Sequence, residues 1–442
     1  MTAEIAIINR TAVTLAADSA MTLSGGPTDK IYNSADKIFE LSTKDPIGIM
    51  IYSNLQFMNF PLDVAIKHFR DSSKCSKFNS VSAAADAFFK FLQDEIGAPE
   101  DAQQLHVRRL AGSIFNLVSR DYHEKIDEIV AANPKGPPKD FDPDALFAEQ
   151  VNSYLGPVSK RPPADGFTDN DLTKIRKNYG DAIQSAIVDV FDLERLSDDA
   201  QALLHDLAAR IFHCNIISPA STGVVFAGFG SADLFPSLYS FELDGLIVGK
   251  LRLRKKKPIL IDRVKRTAEI SPFAQHDMAD RFLYGIDPEF EDNIPEFLEA
   301  ALRRVGEAII AEVPAAKSKN GKQPNLQSKL ERAITLAVQE FKVSAMNEVK
   351  DGYKQQILEM VSFMPKQELA NFAESLINIT SIKRRVSAEQ ETVGGPIDVA
   401  VISRSDGFIW VKRKHYFDPS LNPRFFFRKH GMVTPGLTGD RK

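Results

Sequence analysis

Residues 2–18 constrain this chain more than any other stretch. Small and apolar residues run through 2–8 and 11–18, on either side of Asn9-Arg10. Asn tolerates left-handed backbone at little cost, so the pattern predicts two strands joined by a tight turn. A turn centred on Arg10 sets Ile5 against Leu15 and Ile7 against Val13, one apolar face of a half-buried hairpin. The other face carries Thr2 opposite Asp18, Glu4 opposite Ala16 and Ala6 opposite Thr14. A hydroxyl residue beside the chain start is thereby held against a carboxylate.

A second hairpin is expected from apolar runs at 34–41 and 47–53, which flank a Ser-Thr-Lys-Asp-Pro turn. Its symmetry sets Lys37 roughly opposite Tyr52. A threonine, an aspartate and a strand-borne lysine are the components of an N-terminal nucleophile site, in which the chain's own α-amine takes the hydroxyl proton. That amine titrates near pH 8, so it serves as a base near neutrality without a histidine.

On these residues the chain resembles the proteasome β-subunit-like family of N-terminal nucleophile (Ntn) hydrolases, in its bacterial, proteasome-like threonine peptidase branch. The opening, with Val13-Thr14-Leu15-Ala16-Ala17-Asp18-Ser19, is similar to the family's without a gap if Met1 is removed. Lys37, within Asp36-Lys37-Ile38-Phe39-Glu40-Leu41, matches its lysine. Ala227-Gly228-Phe229-Gly230 with Ser237-Leu238-Tyr239-Ser240-Phe241 resembles its central hairpin. Gly394-Gly395-Pro396-Ile397-Asp398, followed by Asp406-Gly407, resembles its last strand pair. The resemblance covers roughly half of the chain. It implies an α+β fold, a four-layer α-β-β-α sandwich of antiparallel sheets, interrupted here by a helical insertion.

The implied roles follow residue by residue. Thr2 Oγ is the nucleophile, Lys37 stabilises its developing charge, and Asp18 fixes the geometry of both. The oxyanion falls to a backbone N–H where the family has glycine, and this sequence has Tyr52 and Ser53 there; the bulk of Tyr52 threatens to narrow the substrate groove. Ser271, in Ser271-Pro272-Phe273, stands where the family places a serine near the nucleophile. Before the double glycine the family's aspartate is replaced by Gln390, between Glu389 and Glu391, and Val393 replaces a serine. These departures keep a second reading open, a non-catalytic scaffold or binding subunit of the same fold.

Composition excludes several other classes. The chain has 442 residues with 43% apolar content, enough for a large core or two domains. A net charge of −4 gives no general pull toward nucleic acid or anionic membrane. Cys75 and Cys214 form no metal or redox motif, and they suit a reducing compartment as buried structural residues. No phosphate loop, no His-Glu-x-x-His and no zinc-ligand spacing occur, so neither a metal nor a cofactor is expected. Without a signal-like start or a long apolar run, a cytoplasmic location is expected. The small residue after Met1 permits removal of the initiator methionine.

Along the rest of the chain, 62–70 and 81–96 have helical spacing, Ser80 being a natural cap. Residues 103–132 and 171–213 also read as helical, with Pro-rich loops at 133–138 and 160–163. We expect the main domain over 1–96 and 214–417, a helical insertion over 97–213 and a tail over 418–442. The insertion suits a lid, an oligomer contact or a docking surface. The resemblance implies a peptide or protein substrate, a homo-oligomer such as a ring, and an ATP-dependent unfoldase or other protein docking on the insertion. It implies no nucleic acid and no membrane. The basic run 249–257 alternates Leu with Arg and reads as an exposed edge strand guarded by charge. His276-Asp277 reads as a helix start. Helices are expected at 296–312 and 325–384, then a closing hairpin over 397–412 with an Asp-Gly turn.

Overall fold

A computed structural model describes residues 2–23, 30–134, 136–138, 140–191, 196–312, 326–387 and 393–424. The chain opens with β1 (Ala3–Asn9), β2 (Ala12–Ala17), the short pair β3 (Met21–Leu23) and β4 (Lys30–Tyr32), β5 (Ile38–Glu40) and β6 (Ile47–Ser53). The small hairpin of β7 (Gln56–Phe57) and β8 (Phe60–Pro61) leads into α1 (Leu62–Asp71) and α2 (Val81–Phe91). Five helices follow: α3 (Glu100–Ala132), α4 (Pro143–Ser159), α5 (Asp169–Asn178), α6 (Gly180–Val190) and α7 (Asp198–His213). Strands return as β9 (Thr222–Gly228), β10 (Ser237–Ile247), β11 (Lys250–Lys255), β12 (Ile259–Leu260) and β13 (Ala268–Ala274). Then come α8 (Asp277–Tyr284), α9 (Pro288–Glu312), α10 (Leu326–Glu340), α11 (Met346–Val361) and α12 (Lys366–Val386), before the hairpin β14 (Asp398–Ser403) and β15 (Gly407–Lys412).

Two antiparallel sheets dominate, one in the order β13-β1-β2-β14-β15 and the other β11-β10-β9-β6-β5. Strand alternation sorts their side chains into layers. Ala6, Ile8, Val13 and Leu15 meet Met50, Tyr52, Val225 and Ala227 between the sheets. Ile5, Ile7 and Ala16 point the other way, onto Leu369, Ala373 and Ile377 of α12. On the far side, Ile49, Ile51 and Phe226 pack under Leu62, Ile66 and Phe69 of α1 and Phe88 of α2. The result is an α+β sandwich of α-β-β-α layers, as expected.

Position within those layers corrects the first hairpin. Every residue of β1 and β2 is buried, because both faces are covered. The register also differs by one: Ile5 pairs with Ala16 and Ile7 with Thr14. The cause is local. Asn9 Oδ1 accepts from the N–H groups of Thr11 and Ala12 and from the Thr11 hydroxyl, which moves the turn one residue on. The second hairpin is likewise shifted, with Ile38 on Met50, and Ile51 N–H donating to the Lys37 carbonyl at 2.9 Å. Lys37 therefore stands opposite Ile51 rather than Tyr52.

Helices α3–α7 enclose an apolar cluster of their own, built on Val107, Phe115, Val151, Ile183, Leu204 and Phe212. Ser197 caps α7 by accepting from Ala200 N–H, and Thr168 and Asp171 form a capping box on α5. Helix α4 lies where no helix was expected. Its start is set by the Asp142 cap and by Pro143 in its first turn. Strand β11 is an edge strand, as its charges suggested, but Arg252 turns inward and is 1% exposed. Asp277 begins α8, and Asp406-Gly407 turns the closing hairpin with Gly407 at φ 78°. Cys75 and Cys214 are buried free thiols. Glu389, Gln390 and Glu391, and the tail beyond Arg424, lie outside the described residues.

Candidate functional site

The site forms where β1 begins and β2 ends. Thr2 precedes β1 and continues its pairing, its carbonyl accepting from Gln275 N–H at 3.0 Å. Strand alternation puts Thr2, Glu4, Ala6 and Ile8 on one face, the face turned between the sheets. Asp18 follows β2 directly. Its backbone N–H donates to the Ala3 carbonyl at 3.1 Å, so the strand ladder itself brings Asp18 beside the chain start. In the observed register Asp18 faces Ala3 rather than Thr2.

Lys37 enters from the other sheet, one residue before β5, and is 1% exposed. Its Nζ lies 2.5 Å from Asp18 Oδ1 and 3.1 Å from Glu4 Oε1. The Asp18 carboxylate is saturated. Oδ1 accepts from Ala3 N–H at 3.1 Å and from Lys37, and Oδ2 from Ala20 N–H at 3.3 Å and Gly394 N–H at 3.0 Å. Buried acceptors of this kind are held in one geometry by their donors. The Gly394–Pro396 segment is bound in further through Ser19, whose N–H donates to the Gly394 carbonyl and whose hydroxyl donates to that of Pro396. Gly395 must be glycine: its φ is 76°, and a Cβ there would come within 2.9 Å of the Asn33 carbonyl.

Glu4 is the residue that the sequence reasoning missed. Both of its oxygens are buried and neither makes an aligned hydrogen bond. Burial pushes its carboxyl up to about 7; Lys37 opposes the shift and the Asp18 charge adds to it. The Thr2 hydroxyl lies against Glu4 and also lacks an aligned partner. A signal was present, because a carboxylate two residues along an apolar strand from Thr2 must share its face.

Tyr52 turns its ring into the inter-sheet core, 5.2 Å from that of Phe273 and over Gly223, where a Cβ would come within 1.9 Å. Its bulk therefore stays out of the groove it was expected to narrow. Ser53 has φ 64°, a left-handed conformation at the rim of a cleft of about 980 Å³. Because Ile51 N–H points to Lys37, alternation turns Tyr52 N–H toward β9 and Ser53 N–H back to the Lys37 side. Met21, Ala35, Asp36, Ile51 and Pro219 also line this cleft. Thr2 itself is 3% exposed and does not line it.

Ser271 is not brought to the site. It pairs with Ala6, while Thr2 is met by Gln275, just past the end of β13 and four residues further on. The loose match of Ser271-Pro272-Phe273 carried no register information. His276 pairs with Asp280 on its own helix. The arrangement thus gathers Thr2, Glu4, Asp18 and Lys37 in one buried cluster, with Ser53 beside it. With Met1 attached, the Thr2 nitrogen is an amide and cannot take a proton; only its removal leaves an amine there.

No family model matches the chain, and no curated protein does. Among solved structures it is similar to a chain of the "Helical Assembly of the Anbu Complex from Pseudomonas aeruginosa", at 11% identity and a TM-score of 0.27, over 99% of this chain and 100% of that one. A superposition that loose carries neither a fold nor a function from one chain to the other. The resemblance to the proteasome β-subunit-like family is therefore corrected: short motifs in the right order are not backed by a family match, and the comparisons assign the chain to no family.

Proposed function

We propose that this chain is an amidohydrolase whose nucleophile is the Thr2 hydroxyl, acting on peptide bonds through an acyl-enzyme once Met1 is removed. The observation that carries the reading is the buried cluster itself, with Lys37 held 2.5 Å from Asp18 and 3.1 Å from Glu4, against which the Thr2 hydroxyl lies. Burying a lysine and carboxylates together is costly and is tolerated where their geometry has a use.

In this reading the α-amine freed at Thr2 takes the hydroxyl proton as Oγ attacks the carbonyl carbon, and later protonates the leaving nitrogen. Lys37 offers positive charge to the nucleophile oxygen, and Asp18 fixes Lys37. Ser53 N–H is the donor for the oxyanion, with the Tyr52 N–H engaged toward β9. The cleft beside Ser53 takes the substrate chain. Ser271 has no part in the chemistry. Self-association belongs to the same proposal and rests on exposed apolar residues at the turn between α11 and α12, Met360 and Phe363.

A non-catalytic scaffold is the second reading, favoured by the 3% exposure of Thr2. Intact mass with amino-terminal sequencing, followed by a hydroxyl-directed electrophile, separates the two. The hydrolase reading expects loss of Met1 and one covalent adduct on Thr2, abolished in Thr2→Ala while the fold persists. Retained Met1 with no adduct supports the scaffold.

A further inference from the structure

Four polar groups meet in the buried cluster, and the reading above uses three of them. Glu4 is left over, and its surroundings are unusual for a structural carboxylate. Asp18 already accepts four hydrogen bonds, a set that holds the strands together. Glu4 has none that is aligned, and its one close cation, Lys37, lies 3.1 Å away while sitting nearer to Asp18. A single lysine faces two buried carboxylates, and of the two Asp18 is the one that backbone N–H groups also meet. The Thr2 hydroxyl stands on the same strand face, also without an aligned partner.

We propose that Glu4 is a proton carrier of this site, taking the Thr2 hydroxyl proton directly as Oγ bonds to the substrate carbonyl carbon. The inference rests on the hydrolase reading. In the first step the C–O bond forms, the proton moves from Thr2 Oγ to a Glu4 carboxylate oxygen, and it then passes to the leaving nitrogen as the C–N bond breaks. In the second step water attacks the ester, gives its proton to Glu4, and Glu4 returns it to Thr2 Oγ as the acid product leaves. No redox partner is needed, and the enzyme ends as it began. Glu4 thereby offers a second acceptor for the one proton that the α-amine takes in the reading above.

The titration of Glu4 suits the task. Its carboxyl, raised to about 7, is a base of matched strength near neutrality, below the α-amine's range near 8. The groups that face it are Lys37 from the second sheet, Asp18 from the end of β2, the Thr2 hydroxyl on its own strand and the Tyr52 phenol of β6. Its partner on β13, Phe273, is uncharged.

The test is the rate of covalent capture of Thr2 by a peptidyl β-lactone, followed by intact mass from pH 5 to 9 on the full chain lacking Met1. The native chain is expected to show an acid limb near pH 7. Glu4→Gln, isosteric and uncharged, is expected to lose that limb, keep the one set by the α-amine, and fall about 10²-fold in rate at pH 7.5. Glu4→Asp is expected to retain a limb with a reduced rate, and it decides the matter if Glu4→Gln does not fold. A Glu4→Gln or Glu4→Asp profile identical to the native one overturns this inference and leaves the hydrolase reading standing. No capture of the native chain at any pH, with Thr2 confirmed as the first residue, overturns both.

Discussion

At the scale of single residues, the molecule's most consequential choice is to bury Glu4 beside Lys37. The protonation of Glu4 couples to folding. Its folded value of about 7 lies above its ordinary 4.5, so its stabilising contribution is full below 4.5 and is lost as pH rises through 7. Between pH 5 and pH 8 this one group removes about 2 kcal/mol. Glu4→Gln is therefore expected to unfold at a similar denaturant concentration to the native chain at pH 5, and at a clearly higher one at pH 8. Urea titration at both pH values reads this directly, and equal shifts at the two would show that Glu4 does not titrate there. Glycine carries similar weight at one position. Gly223 faces the Tyr52 ring with no room for a Cβ, so Gly223→Ala must push the ring out of the inter-sheet core. A loss of about 1–3 kcal/mol is expected on thermal unfolding.

Among elements, the joint between the sheets and helices α3–α7 depends on β10 and β11. Asp244 Oδ2 accepts from Arg252 at 2.7 Å and from Ser218 N–H at 3.2 Å. The second terminal nitrogen of the guanidinium donates to the carbonyls of Ile211, in α7, and Ile216, just beyond it. At the start of the helical cluster, His106 of α3 reaches the Asp244 carbonyl through Nε2 at 2.9 Å. That geometry requires the proton on Nε2, and burial holds the imidazole below its usual range, in keeping with a neutral ring. Arg252→Met keeps most of the packing volume but leaves Asp244 buried without its cation. Stability is expected to fall by about 3–5 kcal/mol. Hydrogen exchange should quicken first at the end of α7, whereas uniform change along the chain would deny the joint this role.

For the whole molecule, the exposed apolar side chains point to association. Met360 is 67% exposed and Phe363 78%, neighbours at the turn between α11 and α12. Monomers seldom leave such side chains together in water. Mass photometry of the full chain is expected to find assemblies larger than a monomer, and the double change Met360→Glu with Phe363→Glu to shift them toward single chains. A chain that is monomeric before the change would place these residues outside any self-contact. Among the described residues no helix is long and apolar enough to cross a membrane.

Local chemistry in the sequence was enough to place the early hairpins, most helices and the company of Thr2, Asp18 and Lys37. Alternation, caps and turn residues act over a few positions, and such signals survive without a tertiary context. Register did not follow from the apolar pattern, because β1 and β2 are buried on both faces and a one-residue slip costs such a strand little in apolar contacts. It was settled by the Asn9 side chain and by Asp45, whose carbonyl accepts from Ile47 N–H at the turn of the second hairpin. The fate of charges was equally hidden. Arg252 reads as a guard on an edge strand until the α7 exit closes over it, and the burial of Glu4 is set only when the second sheet closes over its face. Which groups titrate, and which merely pair, is decided by neighbours far apart in the chain, since burial and hydrogen bonds set the cost of charge.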